Sequence, residues 1–143
     1  MGTPVVRVGA TTAGATMKLV INGVVFAMSQ AAAEALVMAE RSGVEREVAY
    51  DTMLASAVAA PVLQYRRDWF VRPGEMPISF TIDLAIKDLD LITAHAAEVG
   101  TSLPAAAQSL DVLRAASAAG LGDNDMGDVA VHLRDAASGV DQT

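Results

Sequence analysis

The chain has 143 residues, 52% of them apolar and 19% charged, with a formal net charge of −7 and no cysteine. That length and apolar content support one domain with a packed core and are unlike a disordered chain. The acidic balance offers no basic surface for nucleic acid, and the missing cysteine excludes disulfides and thiolate metal sites.

Residues 1–13 read as an extended lead-in, with β-branched Val5, Val6 and Val8 punctuated by Gly9 and Gly14. The first ten residues carry neither a positively charged start nor a signal-type apolar stretch. A cytoplasmic setting is expected, since cysteine-free chains suit a reducing compartment. A long first helix is expected from about Ala15 to Ser42, with Gly43 as its terminator. At 1.5 Å per residue it runs roughly 40 Å, long for so small a domain. Its apolar stretch is long enough to span a bilayer, but Asn22, Ser29, Gln30 and Glu34 interrupt it. A helix apolar on all sides is equally at home inside a helical protein, and no membrane partner is expected.

The segment "GVEREVAYDTMLASAVAA" gives a second helix, with Val48, Met53 or Thr52, and Ala55 on its inner face and Pro61 ending it. Residues 61–82 read as irregular, although "VLQYRRDWF" has room for a helical turn or more. "TIDLAIKDLDLITAHAAEVG" is a third helix, with Ile82, Ile86, Leu89 and Thr93 at the 3.6-residue period and Gly100 closing it. "LPAAAQSLDVLRAASAAG" is a fourth, with Pro104 in its first turn and Gly120 at its end. "GLGDND" is a loop, and "MGDVAVHLRDAAS" a short last helix, with the tail from Ser138 fraying. The sum is an all-α bundle built on one long, buried N-terminal helix, a single domain over residues 1–143.

Lys18 and Asn22, four residues apart, share one helix face, with Ser29 on roughly the same stripe. One reading has Lys18 extending its head to solvent and Asn22 bonding a neighbouring backbone. The other is a polar notch in an apolar wall where a substrate sits, in which desolvation would lower the lysine pKa. Asp83, Lys87, Asp88 and Asp90 cluster on the third helix, where Asp83 and Lys87 form an i,i+4 pair on an exposed face. His95 and His132 stand without ligand spacing, "GLGDND" lacks the carboxylate ladder of a calcium loop, and no metal is expected. No serine has a histidine–acid arrangement beside it.

"VGATTAGATMKLVIN" resembles the motif that opens the C-terminal domain of the β-hydroxyacid dehydrogenases, which are related to 6-phosphogluconate dehydrogenase. Lys18, Asn22, Gly9 and Gly14 match that motif, while Thr12 and Ile21 depart from it. "AAAEALVMAERSGVEREVAYDTM" continues the likeness with Glu34, Ala35 and Gly43. "FTIDLAIKDLDLITAHAAEVGTSLPAAAQ" matches the next block at Phe80, Lys87, Asp88, Ala96, Gly100 and Pro104. "GLGDND" matches the last signature at Gly120 and Asp125.

The resemblance implies a helical C-terminal domain that binds a small 3-hydroxyacid and dimerises through its long first helix. It assigns proton transfer to Lys18, substrate contact to Asn22, and contact with an NAD or NADP cofactor to Lys87 and Phe80. Such enzymes hold the dinucleotide mainly in a Rossmann domain with a G-x-G-x-x-G turn, and this sequence contains no such turn. A Rossmann domain in cis or in trans is therefore an expected partner, beside a second copy of this chain in a homodimer or higher oligomer. The chain alone is expected to be inactive. The competing reading is a stand-alone, non-catalytic dimerisation module, and a relative of the imine reductases is a third.

Overall fold

A computed structural model describes residues 5–140. Among them, seven α-helices account for the regular structure: α1 (Ala13–Arg41), α2 (Arg46–Leu54), α3 (Pro61–Tyr65), α4 (Arg67–Val71), α5 (Ile82–Glu98), α6 (Pro104–Ala116) and α7 (Val129–Val140). A π turn, Ser117–Leu121, follows α6, and a 3₁₀ turn, Met126–Asp128, leads into α7. The fold is all-α, as the sequence implies, and α1 is its axis, touching α2, α3, α5, α6 and α7.

The helix ends follow from local chemistry. α1 stops at a Schellman turn: Gly43 takes φ +90°, its N–H reaches Glu40 O at 3.0 Å, and Val44 N–H reaches Ala39 O at 3.0 Å. α5 repeats this arrangement, with Gly100 N–H on Ala97 O and Thr101 N–H on Ala96 O. Its start is capped by Thr81, whose hydroxyl accepts from Leu84 N–H at 3.1 Å.

The core is close-packed through small residues. Ala33, Ala85 and Ala116 have no exposed surface, and Leu36, Tyr50, Ile82 and Leu89 fill the space between them. The Tyr50 and Phe70 rings stack at 5.6 Å. Tyr50 donates to Leu63 O at 2.9 Å, so its buried hydroxyl is satisfied.

Several expectations shift. α1 is buried only from Phe26 onward, while Val20, Ile21 and Val24 on its first turns are about half exposed. Its first half meets α5 along one edge only, at Leu19, Asn22 and Gly23, while its second half lies under the other helices. Val48 is 52% exposed, and α2 instead turns Ala49 and Tyr50 inward. Ala55 lies past the end of α2 as its exposed C-cap. Pro61 does not end α2 but opens α3, since a helix start tolerates a residue without an N–H. Residues 61–71 form two short helices, using the room for helical turns that "VLQYRRDWF" allows, and irregular chain follows only from 72 to 81. Ser138 belongs to α7, with its hydroxyl on Arg134 O at 3.0 Å, and the rest of the expected tail, 141–143, lies outside the described residues, as do residues 1–4 of the lead-in.

Candidate active site

The sequence before α5 and the loop after α6 are laced together. Met126 N–H reaches Phe80 O at 2.8 Å, Ile82 N–H reaches Asn124 O, and Asp83 N–H reaches Gly122 O, both at 3.0 Å. This lacing presents Phe80 to α1, where its ring lies 6.0 Å from that of Phe26. A cleft of about 210 Å³ opens there, lined by Asn22, Phe26 and Ser29 of α1, Tyr65 and Arg66 at the α3–α4 junction, and Phe80. Val25, Val62 and Met126 complete an apolar wall.

The cleft is braced by a buried ion pair. Both terminal nitrogens of Arg66 donate to the carboxylate of Asp125, 59 residues away. The same carboxylate accepts from Ser79 N–H at 2.9 Å, Phe80 N–H at 3.2 Å and Gly127 N–H at 2.9 Å. The Arg66 guanidinium also lies 4.8 Å over the Trp69 ring. With its lone pairs engaged, Asp125 meets the condition under which a buried charge pair is tolerated. Two polar atoms are not so provided for. Among the described residues, Ser29 Oγ and Arg66 Nε are buried with no hydrogen-bond partner. Each such atom costs about 1–3 kcal/mol.

Of the residues singled out from the sequence, Asn22 and Phe80 meet in this cleft. Lys18 stands one turn earlier on the same stripe of α1, exposed and without an ion pair among the described residues. The desolvation expected for it is therefore not supplied by this chain. Asn22 is half-buried and donates through Nδ2 to Asp88 Oδ2 at 3.4 Å, a long contact. Asp88 is thus a site residue that periodicity on α5 left among surface charges. Its neighbour Lys87 points elsewhere, because successive helix residues are about 100° apart.

Lys87 lines a shallow groove of about 660 Å³ with Asp83, Ile86, Asp90, Arg114 and Ser117. The expected Asp83–Lys87 pair is absent among the described ion pairs. Asp83 instead accepts from Ser117 Oγ and Asp90 from Arg114 Nη2, each at 2.6 Å. Lys87 therefore has no ion-pair partner among the described residues. His95 Nδ1 lies 3.5 Å from Glu98, and no cluster of His, Asp and Glu among the described residues could hold a metal ion.

An all-α domain whose lysine–asparagine stripe runs into an aromatic-lined cleft is the kind of domain found in β-hydroxyacid dehydrogenases. Residues 12–133 match the sequence model described as "NAD-binding of NADP-dependent 3-hydroxyisobutyrate dehydrogenase", and the chain belongs to that family. It is 31% identical over 136 residues to 3-sulfolactaldehyde reductase of Escherichia coli K12, covering 94% of this chain and 45% of that protein. It is 29% identical to 2-(hydroxymethyl)glutarate dehydrogenase of Eubacterium barkeri, over 88% of this chain and 42% of the relative. The crystal structure of 3-hydroxyisobutyrate dehydrogenase from Salmonella typhimurium superposes with a TM-score of 0.82 and 30% identity, over 90% of this chain and 45% of that one. The chain thus spans less than half the length of these relatives. The family is one of nicotinamide-linked oxidoreductases.

Proposed function

We propose that this chain is the C-terminal substrate-binding and dimerisation domain of an NAD(P)-dependent 3-hydroxyacid dehydrogenase, with Lys18 as its proton-transfer group. The observation that supports this most is the line of Lys18 and Asn22 on α1 leading into the cleft that holds Phe80. When bound, the nicotinamide supplies hydride transfer. Lys18 takes the hydroxyl proton in oxidation and returns it to the carbonyl oxygen in reduction. Asn22 orients the reacting oxygen or the neighbouring carboxylate, its amide held by Asp88. Phe80 covers the reacting carbon and excludes water. Lys87, on the neighbouring groove, meets the cofactor's negative charge. Because Lys18 is exposed in this chain, a covering Rossmann domain is assigned the task of closing the site over it.

The test is an enzyme in which a Rossmann domain is joined to this chain. Lys18→Ala lowers kcat about 10²–10⁴-fold, the range of a general acid–base group. Lys87→Ala raises the KM for cofactor with a modest change in kcat. Near-normal kcat for Lys18→Ala across the pH range overturns the assignment.

A further inference from the structure

The roles given to Lys18, Asn22 and Phe80 leave two buried polar residues of the cleft unexplained. Ser29 and Arg66 line it, are 2% and 4% exposed, and each keeps one polar atom without a partner. Packing does not require either atom. Alanine would occupy the place of Ser29 without burying a hydroxyl, and Arg66 holds Asp125 through its terminal nitrogens alone. Two unused donors on one cleft describe a receptor for an acceptor group with at least two oxygens.

The geometry points to a second polar subsite, in which Ser29 Oγ–H and Arg66 Nε–H bind the far carboxylate of a dicarboxylate. This rests on the reading of the cleft as the substrate site and names the substrate class: a hydroxyacid, or its carbonyl partner, with carboxylates at both ends. Lys18, Asn22 and Ser29 recur at intervals of four and seven residues, so all three fall on one stripe of α1. Asn22 and Ser29 are about 10 Å apart along the axis. A five-carbon diacid extends about 5 Å between its end carbons, and two hydrogen bonds of about 2.9 Å make up the rest. Val25, Phe26, Val62 and Met126 provide the apolar wall for the methylenes between. Ser29 Oγ and Arg66 Nε are closed to solvent. Admission therefore needs a side-chain shift, and Tyr65, 65% exposed among the lining residues, has the freedom to make it.

The experiment is an NMR titration of the 143-residue chain with glutarate and, separately, with butyrate. Glutarate is expected to shift the Ser29 amide and the Arg66 Nε–H signal saturably, and to bind about tenfold more tightly than butyrate, the worth of a charge-assisted hydrogen bond. Ser29→Ala is expected to remove most of that preference, to leave butyrate unchanged, and to leave the melting temperature the same or higher. Equal binding of the two acids, no shift at Ser29 and Arg66, or a Ser29→Ala variant with full preference overturns the subsite. Buried water would then be the partner of these atoms. Failure here is separable from failure of the proposed function. A joined enzyme disabled by Lys18→Ala but indifferent to the second carboxylate sinks only the subsite. Glutarate seated at Ser29 in a chain whose joined Lys18→Ala form stays active sinks only the catalytic assignment.

Discussion

Asp125 ties Arg66 to the backbone of residues 79, 80 and 127, so one carboxylate fixes three separate stretches of chain. Asp125→Ala strands a buried guanidinium and frees three amides. A loss of about 3–5 kcal/mol is expected, as for other broken buried pairs, read as a lower midpoint in urea unfolding. Tyr50 tests the interior in another way. Burial pushes its hydroxyl up to about 12 from 10.0, against the pull of Arg66 and Arg67. Its folded-state pKa is the higher one, so the stabilisation is fully present below pH 10 and disappears as pH rises toward 12. Two pKa units correspond to about 3 kcal/mol. Tyr50→Phe should flatten that alkaline decline in a denaturation series, at the cost of the bond to Leu63 O.

At the scale of elements, the helix crossings depend on which glycines have room. Gly23 faces Ile92 Cγ2, and an added Cβ would meet it at 3.5 Å, an ordinary contact. Gly23→Ala is therefore expected to stabilise the chain by about 0.5–1 kcal/mol through helix propensity, seen as a raised melting temperature. Gly127 differs, because its Cβ would come within 3.0–3.1 Å of Trp69 Cβ and O. Gly127→Ala should lower the melting temperature, since the backbone of α4 cannot yield as a side-chain tip can.

The helices were readable where a residue type fixes an end, as at Gly43, Gly100 and Pro104, whereas α6 stops at Ala116 and the expected terminator Gly120, at φ +95°, breaks the turn that follows it. They were not readable where facing was decided by a distant partner. The α2 pattern allows Val48 inward, but the ring of Tyr50 reaches Phe70 and Leu63, and that contact sets the rotation.

For the whole molecule, the same contrast divides the site. Asn22 and Phe80, which line the cleft, were singled out through the family likeness, and the helical period put Ser29 on the stripe of Lys18 and Asn22. Arg66 was not, because it lies in a stretch that reads as irregular chain and its partner Asp125 is remote in sequence. No local pattern shows which of two adjacent arginines is buried.

The exposed first half of α1 belongs to this scale as well. Val20 and Val24 flank an apolar groove of about 590 Å³ continued by Leu103 and Pro104. We propose that a second copy of this chain covers this contiguous apolar surface. The expected result is a dimer or larger assembly by light scattering at micromolar concentration; a monomer mass would count against it.

The central position of α1 also has a consequence for how the chain is made. Its largest partners, α5, α6 and α7, all follow it by at least 40 residues. Of these helices α1 leaves the ribosome first, and the helices that cover it most arrive last. At about 5–20 residues per second, the roughly 100 residues from the end of α1 to the end of α7 take about 5–20 s. Until α5 begins to emerge, 41 residues after the end of α1, this 29-residue apolar helix has only α2 to α4 beside it. Nascent-chain pulldowns with a general chaperone should peak after residue 41 appears and fall once α7 is out.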